Sequence, residues 1–160
     1  MKIGIVGLGL IGGSLAMSIR KHTEHTVFGY DIDPQVMLRA KAVEAIHDGL
    51  TEDLLPGCDI VLVALFPQLC ADWIVSHADQ FGPKALVIDC AGVKRCVCNQ
   101  VEPVAAKPDA KAGFVILHRC TVCGELHPNK AAYGSHSGAG RLDSTKLLIA
   151  LTARPWIEKA

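Results

Sequence analysis

KIGIVGLGLIGGSL, residues Lys2–Leu15, decides the fold. Lys2–Val6 is a short apolar run that reads as a strand. Leu10–Arg20 carries Leu10, Ile11, Leu15, Ala16 and Ile19 at helical spacing. Between them Gly7-Leu8-Gly9-Leu10-Ile11-Gly12 is G-x-G-x-x-G, placed where a strand turns into a helix. Each glycine has a mechanical reason. Gly7 permits a tight turn, Gly9 lets a diphosphate reach the backbone, and Gly12 lets the helix pack closely on the strand. The helix N-terminus offers free N–H groups and partial positive charge to an anion.

Working outward, Thr26–Asp31 reads as a second strand ending on an acid. Asp31 follows the glycine loop at close to the expected offset of about 20 residues. A carboxylate there accepts hydrogen bonds from ribose hydroxyls and repels a 2′-phosphate, which favours NAD over NADP. The alternative is a plain glycine turn with Asp31 acting as a local cap. Asp33 before Pro34 reads as the N-cap of a helix over Pro34–Val43.

The alternation continues. Asp59–Phe66 (DIVLVALF) and Ala85–Cys90 (ALVIDC) are apolar without a period of two, as strands covered on both faces are. Gln68–Ala78 reads as a helix, Val93–Val101 as a short helix, and Phe114–Leu117 as the next strand. Glu102–Gly113, with Pro103 and Pro108, reads as a loop. Strands alternating with helices imply right-handed crossovers. The expected fold is α/β, a Rossmann-type doubly wound parallel sheet over residues 1–117. Residues 118–160 are expected to be a divergent or truncated tail, with one helical candidate at Ser144–Thr152 and a Gly/Ser patch at Gly134–Gly140.

Composition sets outer limits. The chain has 160 residues, 16 Lys+Arg against 16 Asp+Glu, and 50% hydrophobic residues. Zero net charge argues against a nucleic-acid partner, and the apolar content argues against disorder. Aromatics are only 5%, so the core must be built from Val, Ile, Leu and Ala. No apolar run reaches the roughly 18–20 residues of a membrane span. Lys2–Ala16 could pass for a signal peptide, but its glycine spacing has the explanation given above. The odd cysteine count of 7 fits free thiols in a reducing, cytoplasmic setting better than a disulfide framework.

Four segments together resemble the prephenate/arogenate dehydrogenase family: Lys2–Leu15, Gly29–Pro34 (GYDIDP), Asp59–Pro67 (DIVLVALFP) and Val87–Lys94 (VIDCAGVK). The resemblance implies NAD-dependent oxidative decarboxylation of prephenate or arogenate in tyrosine biosynthesis. It implies cofactor contacts from Gly7, Leu8, Gly9, Leu10, Ile11, Gly12, Asp31, Ala64, Gly92 and Lys94. Gly92 stands where many members carry a Ser that touches substrate and nicotinamide. Lys94 matches the family Lys, or is a solvated lysine at a helix start.

His118 stands where the family places the His of a G-G-H-P motif, which accepts a hydrogen bond from the substrate hydroxyl as a neutral imidazole. Ile116 and Leu117 replace the two glycines, and Arg119 replaces the proline. His127-Pro128 keeps the His-Pro pair further along and is the weaker candidate. Family members dimerise through a helical C-terminal domain that has no counterpart in this sequence. The match fades after Val115, as expected of a truncated or frame-shifted gene product.

Two readings stay open beside the enzyme: an NAD-binding module without catalysis, and a zinc-knuckle interaction protein. The second rests on Cys120-Thr121-Val122-Cys123-Gly124 flanked by His118 and His127. That C-x-x-C can aim two thiolates at one zinc, but the ligands lie closer together than in a two-knuckle site. The leading expectation is NAD with no metal.

Overall fold

The computed structural model describes residues 1–91, 94–105, 113–119 and 126–128, the last two segments as backbone. The strands are β1 (Lys2–Val6), β2 (Thr26–Tyr30), β3 (Asp48–Gly49), β4 (Ile60–Val63), β5 (Leu86–Asp89), β6 (Gly113–Arg119) and β7 (Leu126–Pro128). The helices are α1 (Leu10–His22), α2 (Pro34–Ala42), α3 (Pro67–Ser76) and α4 (Lys94–Ala105), with 3-10 turns at Glu52–Gly57 and Ala78–Gln80. The sheet order is β3-β2-β1-β4-β5-β6-β7. All pairs are parallel except β6 with β7. This is the doubly wound order, and strand succession reverses between β1 and β4.

The pleat divides the core. Ile3, Ile5, Ile60, Leu62, Leu86 and Ile88 face one layer, packed with Ala16 and Ile19 of α1 and Ala40 of α2. Val6, Val61, Val63 and Val87 face the other, packed with Cys70, Ala71 and Ile74 of α3 and Val97, Cys98 and Val101 of α4. Both faces of β4 and β5 are therefore covered, which is why their sequences do not alternate.

The elements differ from the sequence reading in several details. β4 is shorter than Asp59–Phe66. Asp59 falls just outside it, although its N–H donates to Lys2 O and its O accepts the Leu86 N–H, each at 2.9 Å, and its Oδ2 accepts the Lys2 N–H at 2.9 Å. Pro67 already opens α3, which ends the strand from the other side. α4 runs to Ala105 through Pro103 rather than ending at Val101. Proline forfeits one backbone bond in the last turn, while buried Val97, Cys98 and Val101 hold the helix on the sheet. β3 and β7 were not expected. β3 adds two rungs to β2, pairing Phe28 with Asp48 and Gly29 with Gly49. The helical candidate Ser144–Thr152 and the patch Gly134–Gly140 lie outside the described residues.

Candidate nucleotide-binding site

The site forms where β1, β2, β4 and β5 end on one edge of the sheet. Gly7 leaves β1 with φ +84, in the left-handed region. Its N–H donates to Tyr30 O at 2.8 Å. A Cβ at Gly7 would lie 2.5 Å from Ala64 O. A Cβ at Gly12 would run into Gly7 O. Gly7 needs glycine for its backbone conformation and the close approach of Ala64, and Gly12 because α1 starts almost in contact with the turn below it. Ala64 forms the floor: its N–H donates to Val6 O at 2.7 Å, and its Cβ lies under Gly12.

Gly9 is different. A Cβ there would meet nothing within 4 Å. The space above it is open, so no protein atom demands a glycine. Gly9 is the extended N-cap of α1 and provides no side-chain cap, and the first turn carries no acid. The first helical bond is Gly13 N–H to Gly9 O at 2.8 Å. The N–H groups of Leu10, Ile11 and Gly12 therefore have no carbonyl of the helix to meet. Open space, unspent donors and the positive helix end coincide at one point, which suits a diphosphate.

Asp31, just past β2, sits beside this turn. Its Oδ2 accepts the Leu8 N–H at 2.8 Å, and its Oδ1 accepts the Asp33 N–H at 3.0 Å. Each carboxylate oxygen keeps a lone pair for a hydroxyl donor. The sequence allows Asp31 as a ribose acceptor or as a local cap; the structure shows it accepting two backbone N–H groups, and the bond to Leu8 in particular is not encoded in the spacing. Asp33 behaves as expected: its Oδ1 accepts the Gln35 N–H at 2.8 Å and caps α2, with Pro34 in the first turn.

Apolar side chains surround the turn. Leu8 is buried, whereas Leu10 is 93% exposed, Ile32 88% and Phe66 80%. Ile32 and Phe66 follow β2 and β4, so they rim the same edge as Leu10. Exposed apolar groups flanking unspent donors suit a ligand with flat rings and a charged middle.

The remaining sequence candidates are more dispersed. Lys94 opens α4. Gly92 lies outside the described residues, as do Cys120 and Cys123. His118 lies at the C-terminal end of β6, on the edge where the other strands end. Its Cα partner in β7 is His127, so the two histidines considered from sequence stand opposite one another in the ladder. Among the described residues no group of three or more His, Cys, Asp or Glu side chains could hold a metal ion. On α4 the Cys96 thiol donates to Gln68 Oε1 at 3.2 Å, and Cys98 is buried.

Sequence reasoning includes Asp89 within VIDCAGVK but gives it no role; at the end of β5 it is the only charged side chain buried among the described residues. The signal was present, an acid closing the apolar run ALVIDC.

The family model described as "Prephenate dehydrogenase, nucleotide-binding domain" matches residues 15–112, more than half of the chain, beginning just after the glycine turn. Arogenate dehydrogenase from Synechocystis superposes with a TM-score of 0.72 at 22% identity, over 98% of this chain and 57% of that one. Prephenate dehydrogenase from A. aeolicus, in complex with hydroxyphenyl propionate and NAD+, gives 0.69 at 20% identity, over 96% and 57%. A 3-hydroxyisobutyrate dehydrogenase from Mycobacterium tuberculosis gives 0.62 at 18% identity, over 72% and 39%. The chain thus spans little more than half the length of the first two. At these identities the superpositions establish a shared dehydrogenase fold of Rossmann type, and the family model adds the lineage. NAD, the cofactor read from the glycine loop and Asp31, agrees with both a nucleotide-binding domain and the A. aeolicus complex. The chain belongs to the prephenate dehydrogenase family and carries its nucleotide-binding domain.

Proposed function

We propose that this chain binds NAD as the dehydrogenase unit for oxidative decarboxylation of prephenate or arogenate. The observation that carries the reading is the open cradle over Gly9, ringed by unspent N–H groups and by Asp31. Leu10, Ile11 and Gly12 would hold the diphosphate through their N–H groups. Asp31 would take the adenosine ribose hydroxyls and, by its charge, disfavour a 2′-phosphate. Ala64, Gly92 and Lys94 would complete the nicotinamide side of the cleft. Residues 1–117 would form the dinucleotide-binding unit, with 118–160 a divergent tail whose Leu126–Pro128 joins the same sheet.

The bound cofactor supplies the hydride acceptor for this chemistry. The hydride leaves the ring carbon bearing the 4-hydroxyl, the C–C bond to the ring carboxylate breaks, and carbon dioxide departs as the ring becomes aromatic. His118 would hold the hydroxyl by accepting its proton in a hydrogen bond, which requires a neutral ring. The reading places the protein in the cytoplasm, in keeping with Cys58, Cys70, Cys90, Cys96 and Cys98 standing outside any disulfide.

A second reading is a module that binds NAD without turning over substrate. It is favoured by the replacement of the motif glycines by Ile116 and Leu117, and by the span of little more than half of the related enzymes. One sample decides between them. Calorimetric titration with NAD is expected to show binding, and NADH absorbance is expected to rise on adding prephenate or arogenate. Binding without NADH formation from either substrate establishes the second reading. Absence of NAD binding overturns both.

A further inference from the structure

Asp89 is 2% exposed. It lies on the pleat face of Val87, in the layer of Val61 and Val63, where every neighbouring strand position is apolar. A carboxylate in that row loses its hydration and requires donors aimed at it. Two come from different segments. The Ala91 N–H donates to Asp89 Oδ1 at 2.6 Å, and the Cys70 thiol donates to the same oxygen at 3.3 Å. The first bond folds the chain back as it leaves β5, in the manner of an Asx turn. The second ties that exit to the first turns of α3, where Cys70 is buried with its sulfur 3.7 Å from Val63 O.

Asp89 also has a defined place in the sheet. Its Cα partners are Val63 in β4 and Ile116 in β6. It therefore stands at the centre of the second half of the doubly wound sheet, at the edge where the strands end. In such sheets each half takes one mononucleotide, and the half beyond the switch point takes the nicotinamide end.

We infer that Asp89 is a positioning residue for the nicotinamide half of the dinucleotide, fixing the exit of the chain from β5 against α3. This rests on the proposal that the chain binds NAD. Asp89 touches no ligand in this scheme; it acts through the backbone it holds.

The test compares NAD with ADP, which lacks the nicotinamide half, on the 160-residue chain. Asp89→Ala is expected to raise the NAD dissociation constant about tenfold, while ADP stays within about twofold. Asp89→Asn keeps an oxygen for the Ala91 N–H and is expected to restore most of the NAD affinity. Cys70→Ala removes only the thiol donor and is expected to weaken NAD about threefold, again sparing ADP. If Asp89→Ala does not fold, Cys70→Ala carries the same comparison. Unchanged NAD affinity in the folded variants overturns the inference, as does an equal loss for NAD and ADP. A wild-type chain that binds ADP and NAD, with variants indistinguishable from it, overturns this inference alone. A wild-type chain that binds neither nucleotide overturns the NAD proposal and this inference together.

Discussion

α1 and α2 begin on the same edge of the same sheet, each just after a parallel strand, yet their first turns are built in opposite ways. α2 closes itself: Asp33 caps it through the Gln35 N–H, and Pro34 removes a donor that would have needed a partner. α1 stays open, with a glycine N-cap and no side-chain cap. The lesson is that a helix start becomes a binding feature by omission. Its donors are available only where the sequence withholds the usual cap and keeps the space above them empty.

Four substitutions test the difference between the two helix starts. Gly12→Ala is expected to act most strongly, because the new methyl meets Gly7 O and the helix must lift off the turn. Stability should fall by about 2–3 kcal/mol in urea unfolding, with NAD binding lost. Gly9→Val separates the two effects, since a Cβ there has no protein atom within 4 Å. Unfolding free energy should stay within about 0.5 kcal/mol, while NAD affinity drops about a hundredfold in calorimetry. Normal NAD affinity in that variant contradicts the cradle.

Asp31→Ala comes third. It removes the acceptor of the Leu8 N–H and the charge beside the turn. NAD should weaken about tenfold, and the preference for NAD over NADP should narrow. Asp33→Ala is the smallest and serves as the control at the closed helix. It should cost about 1 kcal/mol of stability and leave NAD affinity unchanged.

Much of this was legible because it is local. The glycine turn, the Asp33–Pro34 start and the two buried runs depend on residues within one turn of each other. Strand ends were less legible: Asp59 bonds to Lys2 of β1 and to Leu86 and still falls just outside β4. Pro103 suggested a loop, and the buried face of α4 overrode it. The same distance problem hid much of the site. That Asp31 would spend one oxygen on Leu8, that Asp89 would be held by Cys70, and that His118 would register against His127 are facts of folding geometry. No sequence spacing encodes them.

Leu8 has a consequence for anyone who would redesign this sheet. Its side chain is buried beside Gly29 of β2, and a Cβ at Gly29 would come within 2.8 Å of Leu8 Cδ1 and of Ile46 Cγ2. By propensity Gly29 is the weakest choice in β2, and a β-branched replacement looks like an improvement. It would instead wedge Leu8 upward and tilt the whole phosphate turn. The gap at Gly29 is a mould for Leu8, and optimising the strand in isolation would ruin the cast.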